Sequence, residues 1–158
     1  MPDIYERIKT DHDKHRELLA TIGDTEGASD KRQKAWHEFY YDVKSHAAAE
    51  EETFYSKLMA DPDGQDDARH SVAEHKELDD MMEELDASDM SSPQWLQTFK
   101  KLRHDYEHHI SEEEEDIFAK ARKVFDDKET QSFADAFAKR KKAERDLVDE
   151  KADESLEH

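Results

Sequence analysis

Two His-x-x-x-Glu segments stand 63 residues apart in this chain, at His46–Glu50 and at His109–Glu113. A His and a Glu four residues apart lie one turn from each other on the same face of an α-helix. Neutral imidazole and carboxylate together suit iron, manganese or zinc. Each segment therefore predicts a helix that presents two metal ligands to one side.

The same 63-residue spacing relates His12 to His75, so the chain divides into two similar halves. Each half has one His on a first helix and a His-x-x-x-Glu segment on a second. Acidic neighbours repeat as well, and these pairs are Asp11 with Glu74 and Glu51 with Glu114. Six ligands related by an internal pseudo-twofold axis are expected of a two-metal centre inside a helical bundle. The predicted metal ligands are His12, His46, Glu50, His75, His109 and Glu113.

Apolar residues recur at helical spacing in four segments, on the same face as these histidines. The predicted helices cover about residues 3–22, from Ser29 or Asp30 to about residue 60, about residues 66–87, and from Pro93 to about residue 123. The glycines and prolines lie between these segments or at the start of the chain. The sequence therefore predicts an all-α fold, an antiparallel up-down-up-down four-helix bundle.

A fifth helix is predicted over roughly residues 128–149, where Phe133, Phe137 and Leu147 form a weak apolar stripe. We expect a bundle in residues 1–125 and a C-terminal helix packed on its outside in residues 126–150. Residues 151–158 are expected to be a tail, because Leu156-Glu157-His158 resembles the remnant of an affinity tag.

The composition excludes several classes of function. Charged residues make up 42% of the chain and hydrophobic residues 34%, a balance that favours disorder unless periodicity overrules it, as it does here. A net charge of −19 argues against nucleic acid or an anionic membrane as the main partner. The absence of cysteine excludes disulfides and thiolate metal sites. No apolar run approaches the ~20 residues of a membrane span, so a cytoplasmic protein is expected.

The other histidines have weaker support as ligands. Three of them lack a partner at the repeat spacing and are predicted to lie on the surface: His37, His70 and His104. His15 follows His12 by three residues, but its repeat counterpart is Leu78, so its role is left open. His108 competes with His109, because His108 and Glu112 have the same spacing as His109 and Glu113. The apolar face and the repeat both favour His109.

These motifs resemble those of bacterial hemerythrin-like proteins of the HHE cation-binding family. The resemblance covers about residues 3–125 and rests on Asp11-His12, His46-Ala-Ala-Ala-Glu50-Glu51, Glu74-His75, and His109-Ile-Ser-Glu-Glu113-Glu114 followed by Ile117-Phe118. It implies a non-haem centre of two iron ions, with the histidines as terminal ligands and Glu50 and Glu113 as bridges. Open coordination positions would then accept O2, NO, peroxide or water.

The resemblance has one departure, at Asp79. The oxygen-carrying hemerythrins have a second His one turn after the His of the third helix, and here that position is Asp79. More carboxylate makes a centre harder and easier to oxidise, so reversible oxygen carriage is in doubt. Whether Asp79, Glu51, Glu114 or His15 also bind metal is left open.

Three functions compete at this point. The first is a cytosolic di-iron protein that binds or senses O2, NO or peroxide, or that handles iron. The alternative is a di-iron oxidase or peroxidase-like enzyme of ferritin-like chemistry, although such sites usually have Glu-x-x-His on two helices. No helix here aligns that spacing with its inward face, so a binding protein is favoured over an enzyme and no catalytic residue is assigned. The third function, a structural bundle with incidental zinc, is disfavoured by the paired spacing.

Overall fold

The computed structural model describes residues 2–157, with side chains for residues 2–147. Within that range the backbone forms five helices and no strand. The helices are α1 (Ile4–Gly23), α2 (Asp30–Glu50, continued by Glu51–Tyr55 and Ser56–Met59), α3 (Gln65–Ala87), α4 (Pro93–Glu112, continued by Glu113–Ile117 and Phe118–Val124) and α5 (Asp127–Glu157). The first four form the predicted antiparallel four-helix bundle, and α5 is an additional helix, so the predicted fold class is confirmed.

Side-chain caps begin three of these helices, and at α2 and α4 they lie where the sequence predicts a cap. Asp3 Oδ1 accepts a hydrogen bond from the Glu6 amide at 3.0 Å. Ser29, rather than Asp30, caps α2 through its Oγ, which accepts from the Arg32 amide at 3.2 Å. At the start of α4, Ser92 accepts from the amide of Trp95 at 3.2 Å and Pro93 follows at the first helical position. Caps of this kind each stabilise a helix by about 1 kcal/mol.

Helices α2 and α4 each contain a π-helical segment that periodicity did not predict. The first segment, Glu51–Tyr55, begins directly after the candidate ligand Glu50. The second, Glu113–Ile117, begins at the candidate ligand Glu113 itself. A π turn inserts an extra residue into the helix and rotates everything that follows, and such turns are frequent at functional sites. They occur at nearly the same place in the two halves, which shows that the internal repeat extends to the backbone.

Two apolar clusters lie above and below the level of the candidate ligands. One cluster contains Leu19 and Phe39 together with residues from the C-terminal end of α3 and from the start of α4. The other contains Ile8 and Phe54 together with residues of the second π segment and of α5. Fifteen apolar residues that recur at helical spacing in the first four helices are buried, and Val72, at the same spacing, is partly buried. They are Ile4, Ile8, Leu19, Ile22, Trp36, Phe39, Val43, Phe54, Leu78, Met82, Leu85, Phe99, Leu102, Tyr106 and Ile117.

Helix α5 packs along α1 and α2 on the outside of the bundle. Phe137 is buried and lies edge-on against the His46 ring, with the ring centroids 5.4 Å apart. Leu147 is 50% exposed, so the predicted apolar stripe does not extend that far. The helix continues to Glu157, beyond its predicted end. The side chains of the predicted tail, residues 151–158, lie outside the described residues, and the proposed domain bounds stay a prediction.

Replacing Phe137 by Ala tests the contribution of α5 to the fold. Removing a buried aromatic ring from a packed position destabilises a protein by about 3–5 kcal/mol, because the apolar contact is lost and a cavity remains. Leu147→Ala on the same helix is the matched control, and its effect should stay within about 0.5 kcal/mol because Leu147 is half exposed. Urea unfolding followed by circular dichroism measures both. Equal effects of the two substitutions would contradict the packing described here.

Candidate metal centre

The bundle brings all six predicted ligands together in its interior. Their donor atoms form two groups of four, and within each group all atoms lie within 4.8 Å of one another. The first group is His12, His46, Glu50 and Glu113, and the second is Glu50, His75, His109 and Glu113. The two groups therefore share both glutamates, which is the relation that two metal ions bridged by two carboxylates require.

Each glutamate lies between one histidine of each group. Glu50 Oε2 accepts a hydrogen bond from His46 Nε2 at 3.0 Å, and its Oε1 is 3.1 Å from His75 Nε2. Glu113 Oε1 is 3.3 Å from His12 Nε2, and its Oε2 is 3.7 Å from His109 Nε2. The Nε2 atoms of all four rings thus point inward, towards the two carboxylates.

The histidines of each half also meet across helices. The ring centroids of His12 and His46 are 5.2 Å apart, and those of His75 and His109 are 4.8 Å apart. The loop between α1 and α2 lets the two helices turn back on each other, and Gly27 in it adopts a positive φ of 56°.

Four acidic side chains outside the ligand set hold the histidine rings in place. In each contact the ring Nδ1 pairs with a carboxylate from another helix, so the Nε2 atom is left for the centre. The four contacts are His12 with Glu114 (2.7 Å), His46 with Asp11 (2.7 Å), His75 with Glu51 (3.0 Å) and His109 with Glu74 (3.0 Å). Partners of this kind orient metal-ligating histidines and raise their basicity. Glu51 and Glu114 therefore contact the outer nitrogens of candidate ligand histidines, and the repeated acidic neighbours were the sequence signal for these contacts.

The unsatisfied atoms at the centre fit a metal ion. His12 Nε2, Glu50 Oε1 and Glu113 Oε1 are buried without a hydrogen-bond partner, and both glutamates are fully buried. Buried polar atoms without partners are destabilising, and a buried carboxylate is more so. A first-row metal lies ~2.0–2.3 Å from nitrogen and oxygen ligands, so donor atoms around one ion stand at most about 4.5 Å apart. The two groups are close to that size, and the His/Glu cluster therefore fits metal binding.

Without a metal ion, protonated imidazoles supply the positive charge that the glutamates need. Burial opposes the charge on His46, but Glu50 and Asp11 outweigh it and raise the His46 pKa to about 10. Burial acts in the same direction on His75, and Glu50 and Glu51 raise its pKa to about 10. Burial opposes ionisation of Glu50, yet the two histidines hold its pKa well below the ordinary value. Protons and a metal ion therefore compete for the same nitrogen atoms.

Tyr55 is a functional contact that sequence reasoning missed. Its hydroxyl donates a short hydrogen bond to Glu113 Oε2 and accepts one from Ser71 Oγ at 2.7 Å. Burial and then the charges of Glu113 and Glu50 raise the pKa of Tyr55 well above its usual range, so the phenol stays protonated as a donor. Its repeat counterpart is Phe118, which has no hydroxyl, so the repeat did not indicate this role.

Two residues whose role was open do not point to the centre. His15 is fully buried, but its Nδ1 pairs with the Tyr106 hydroxyl at 2.6 Å and its Nε2 with Asp42 at 2.7 Å. Both ring nitrogens are therefore occupied. The carboxylate of Asp79 accepts from Lys44 Nζ at 2.9 Å, and its side chain is half exposed.

A cavity of about 40 Å³ adjoins the candidate ligands between α2, α3 and α4. All four histidines line it, and Lys44 and Asp79 also contribute to its wall. Most of the remaining lining is apolar: Val43, Ala47, Leu78, Met82, Tyr106 and Ile110. The volume suits one or a few water-sized molecules. The cavity can therefore hold a small ligand beside the histidines and exclude a larger one.

The fold and the site together define a helical-bundle protein with a buried histidine–carboxylate cluster that fits metal binding. Comparison with known families gives the same class, because residues 3–121 match the hemerythrin HHE cation binding domain. The chain belongs to the hemerythrin HHE cation-binding family.

Two relatives place the chain among known proteins. The crystal structure of a hemerythrin HHE cation binding domain-containing protein from Mycobacterium kansasii superposes with a TM-score of 0.84 at 23% identity, covering 93% of this chain and 90% of that one. At that identity the likeness shows the fold. A protein named DNA nickase from Nostoc sp. (strain PCC 7120 / SAG 25.82 / UTEX 2576) is 27% identical over 135 residues. The match covers 85% of this chain and 38% of that protein, so this chain spans less than half of the relative's length.

His109→Ala and His108→Ala form a matched pair on helix α4. His109 is 3% exposed and aims its Nε2 at Glu113, whereas the His108 side chain is 71% exposed. We expect His109→Ala to empty or halve the buried cluster. His108→Ala should leave the cluster loaded and change stability by no more than about 0.5 kcal/mol. Elemental analysis of the purified variants, with thermal unfolding, measures both effects. The reverse pattern would move the ligand pair to His108 and Glu112.

Metal uptake should release protons. Because His46 and His75 have pKa values of about 10, both rings are protonated at pH 8 in the absence of metal, and a ligating Nε2 must lose its proton. Uptake by the buried cluster should therefore release on the order of two protons per chain, and apparent affinity should rise with pH up to about 10. Calorimetry in two buffers of different ionisation enthalpy measures the number. Uptake without proton release would contradict these protonation states.

Proposed function

We propose that this protein holds a non-haem centre of two iron ions and uses it to bind or sense a small ligand, O2, NO or peroxide, or to handle iron. The sharing of Glu50 and Glu113 between two four-ligand groups is the observation that supports this most directly. His12 and His46 would serve one ion, and His75 and His109 the other. When bound, a pair of iron ions supplies open coordination positions and ferrous–ferric redox chemistry.

The surroundings of the centre support a small-ligand site. The adjoining cavity is small and mostly apolar, so it favours a diatomic molecule or peroxide over an organic substrate. Lys44 adds a cation to the cavity wall and is itself held by Asp79. The Tyr55 hydroxyl stays protonated and keeps one oxygen of Glu113 hydrogen-bonded, which limits the motion of that carboxylate.

A di-iron oxidase or peroxidase-like activity is the second candidate. Four outer carboxylates surround the histidines, and an acidic outer shell stabilises the ferric state. Asp79 stands where the oxygen carriers have an additional histidine, and it contacts Lys44 rather than the centre, so the centre has one imidazole fewer than theirs. These features favour oxidation of the centre over reversible carriage of O2.

We propose no nucleic-acid partner and a cytoplasmic location for this chain. Its net charge is −19, and two cations of α5 contact acidic residues of the bundle: Lys141 contacts Asp11 at 2.9 Å and Arg145 contacts Glu38 at 2.8 Å. The nickase of Nostoc has more than half of its length outside the match, so its name says little about this chain. None of the described helices is long and apolar enough to cross a lipid bilayer.

Reconstitution with ferrous iron under anaerobic conditions tests the proposal. We expect about two irons per chain and, after oxidation, a near-ultraviolet charge-transfer absorption that bleaches on reduction. Glu113→Ala should lose at least half of the iron together with that absorption, because both four-ligand groups contain this carboxylate. Glu115→Ala, two residues away and exposed, is the matched control and should keep both. One tightly bound zinc and a featureless spectrum would overturn the proposal.

The same reduced sample separates binding from oxidase chemistry. It is exposed to O2 or NO, and the gas is then removed. A spectral change that reverses with the gas supports binding or sensing, whereas a permanent return to the ferric spectrum with O2 consumption supports the oxidase.

A further inference from the structure

Two additional His-x-x-x-Glu pairs face each other on the outer surface of α3 and α4. They are His70 with Glu74 on α3 and His108 with Glu112 on α4. His70 Nε2 is 3.4 Å from Glu74 Oε1 and 3.3 Å from Glu112 Oε1, and one donor atom from each of these three residues lies within 4.8 Å of the others. His108 Nε2 is 3.6 Å from the other oxygen of Glu112.

The first half of the repeat has an ammonium group where this cluster lies in the second half. Asp11 is the counterpart of Glu74, and both accept from the Nδ1 atom of a ligand histidine. Lys141 Nζ of α5 contacts the outer side of Asp11 at 2.9 Å. Helix α5 packs on α1 and α2, so among the described side chains Glu74 has no lysine or arginine partner and has His70 instead. Asp11 therefore has a permanent cation, Lys141, as its outer neighbour. Glu74 has His70 instead, a side chain that can bind a metal cation.

The cluster is specific to the second half. The repeat counterparts of His70 and Glu112 are Arg7 and Ala49, neither of which binds metal. The set of one imidazole and two carboxylates therefore is not a by-product of the repeated ligand pattern. Both histidines are exposed, with 56% and 71% of their side chains accessible, so an ion from solvent can reach them without opening the bundle.

We propose that His70, Glu74 and Glu112 form a second metal site, solvent-facing and separate from the buried centre, for a divalent transition-metal ion. One imidazole and two carboxylates suit zinc or ferrous iron, and water completes the coordination. The ion takes the place next to Glu74 that Lys141 takes next to Asp11. His108 lies at the edge of the site, beside Glu112.

Glu74 links this site to the buried centre. The oxygen that approaches His70, Oε1, is also the one that accepts from His109 Nδ1 at 3.0 Å. A metal ion on Glu74 draws negative charge away from that hydrogen bond, and His109 becomes a weaker ligand. Loss of such an outer partner typically reduces metal affinity by about 10- to 100-fold. Filling the outer site therefore loosens the metal held by His109.

Zinc titration of the iron-loaded full-length chain tests the outer site. Equilibrium dialysis against Zn²⁺ with elemental analysis measures zinc and iron together for the wild type, the His70→Ala/Glu112→Gln variant and a His104→Ala control. His104 is an exposed histidine on α4 outside the cluster. We expect the wild type and the control to bind one more zinc per chain than the double variant, or to bind it at least tenfold more tightly. Circular dichroism checks that the variants, all of surface residues, are folded.

The difference in bound zinc between the wild type and the double variant tests the outer site, whichever metal occupies the buried centre. If that centre takes zinc instead of iron, the proposed function fails, yet the double variant should still bind one ion fewer. Equal zinc binding by the wild type and the double variant would overturn the outer site.

Iron release tests the link through Glu74. A ferrous chelator is added to the reduced, iron-loaded protein with and without zinc, and the release rate is recorded. We expect zinc to accelerate release by about tenfold in the wild type and to have no effect in the double variant. Zinc binding that leaves the wild-type rate unchanged would overturn the shared role of Glu74.

Discussion

Two fully buried carboxylates, Glu50 and Glu113, are the constraint on which the rest of this structure depends. An unpaired buried carboxylate costs several kcal/mol, so the surrounding bundle must supply positive charge to both. Four histidines surround the pair, and they can do so either as protonated rings or as ligands of metal ions. The acidic partners on their outer nitrogens, and the Tyr55 hydroxyl on Glu113, then fix the position of each group. A polar layer of this kind needs apolar packing on both sides, and the two clusters of the core provide it.

The two halves of the centre are related by a repeat but differ in their surroundings. Around His12 and His46, the two outer carboxylates are Glu114 and Asp11. Arg16 contacts Glu114 at 2.8 Å and Lys141 contacts Asp11 at 2.9 Å, so both carboxylates are paired with permanent cations. The counterpart of Arg16 is Asp79, which cannot pair with a carboxylate and contacts Lys44 beside the cavity instead. The half with His75 and His109 therefore lacks the cation that Arg16 supplies in the other half.

Helix α5 produces much of this difference. Its Phe137 covers the His46 ring, and its Lys141 reaches two carboxylates, Asp11 and Asp42. Asp42 in turn holds His15, whose other nitrogen contacts the Tyr106 hydroxyl in the cavity wall. A hydrogen-bonded path thus runs from the surface beneath α5 to the cavity. The helix acts as a cover that closes one side of the bundle and leaves the other side accessible.

Sequence reasoning was sufficient where the information is local or repeated. A His and a Glu one turn apart share a helix face in any fold, and a common spacing of 63 residues selected the six candidate ligands and favoured His109 over His108. Serine caps and the apolar period similarly predicted the helices, because both act within one or two turns. The partners of the histidine Nδ1 atoms come from 24 to 102 residues away. The repeat marked these acidic residues, but only helix packing decided which histidine each of them contacts. Packing also occupied both nitrogens of His15 and set α5 mainly against α1 and α2, because both depend on contacts between segments that no period along the chain records.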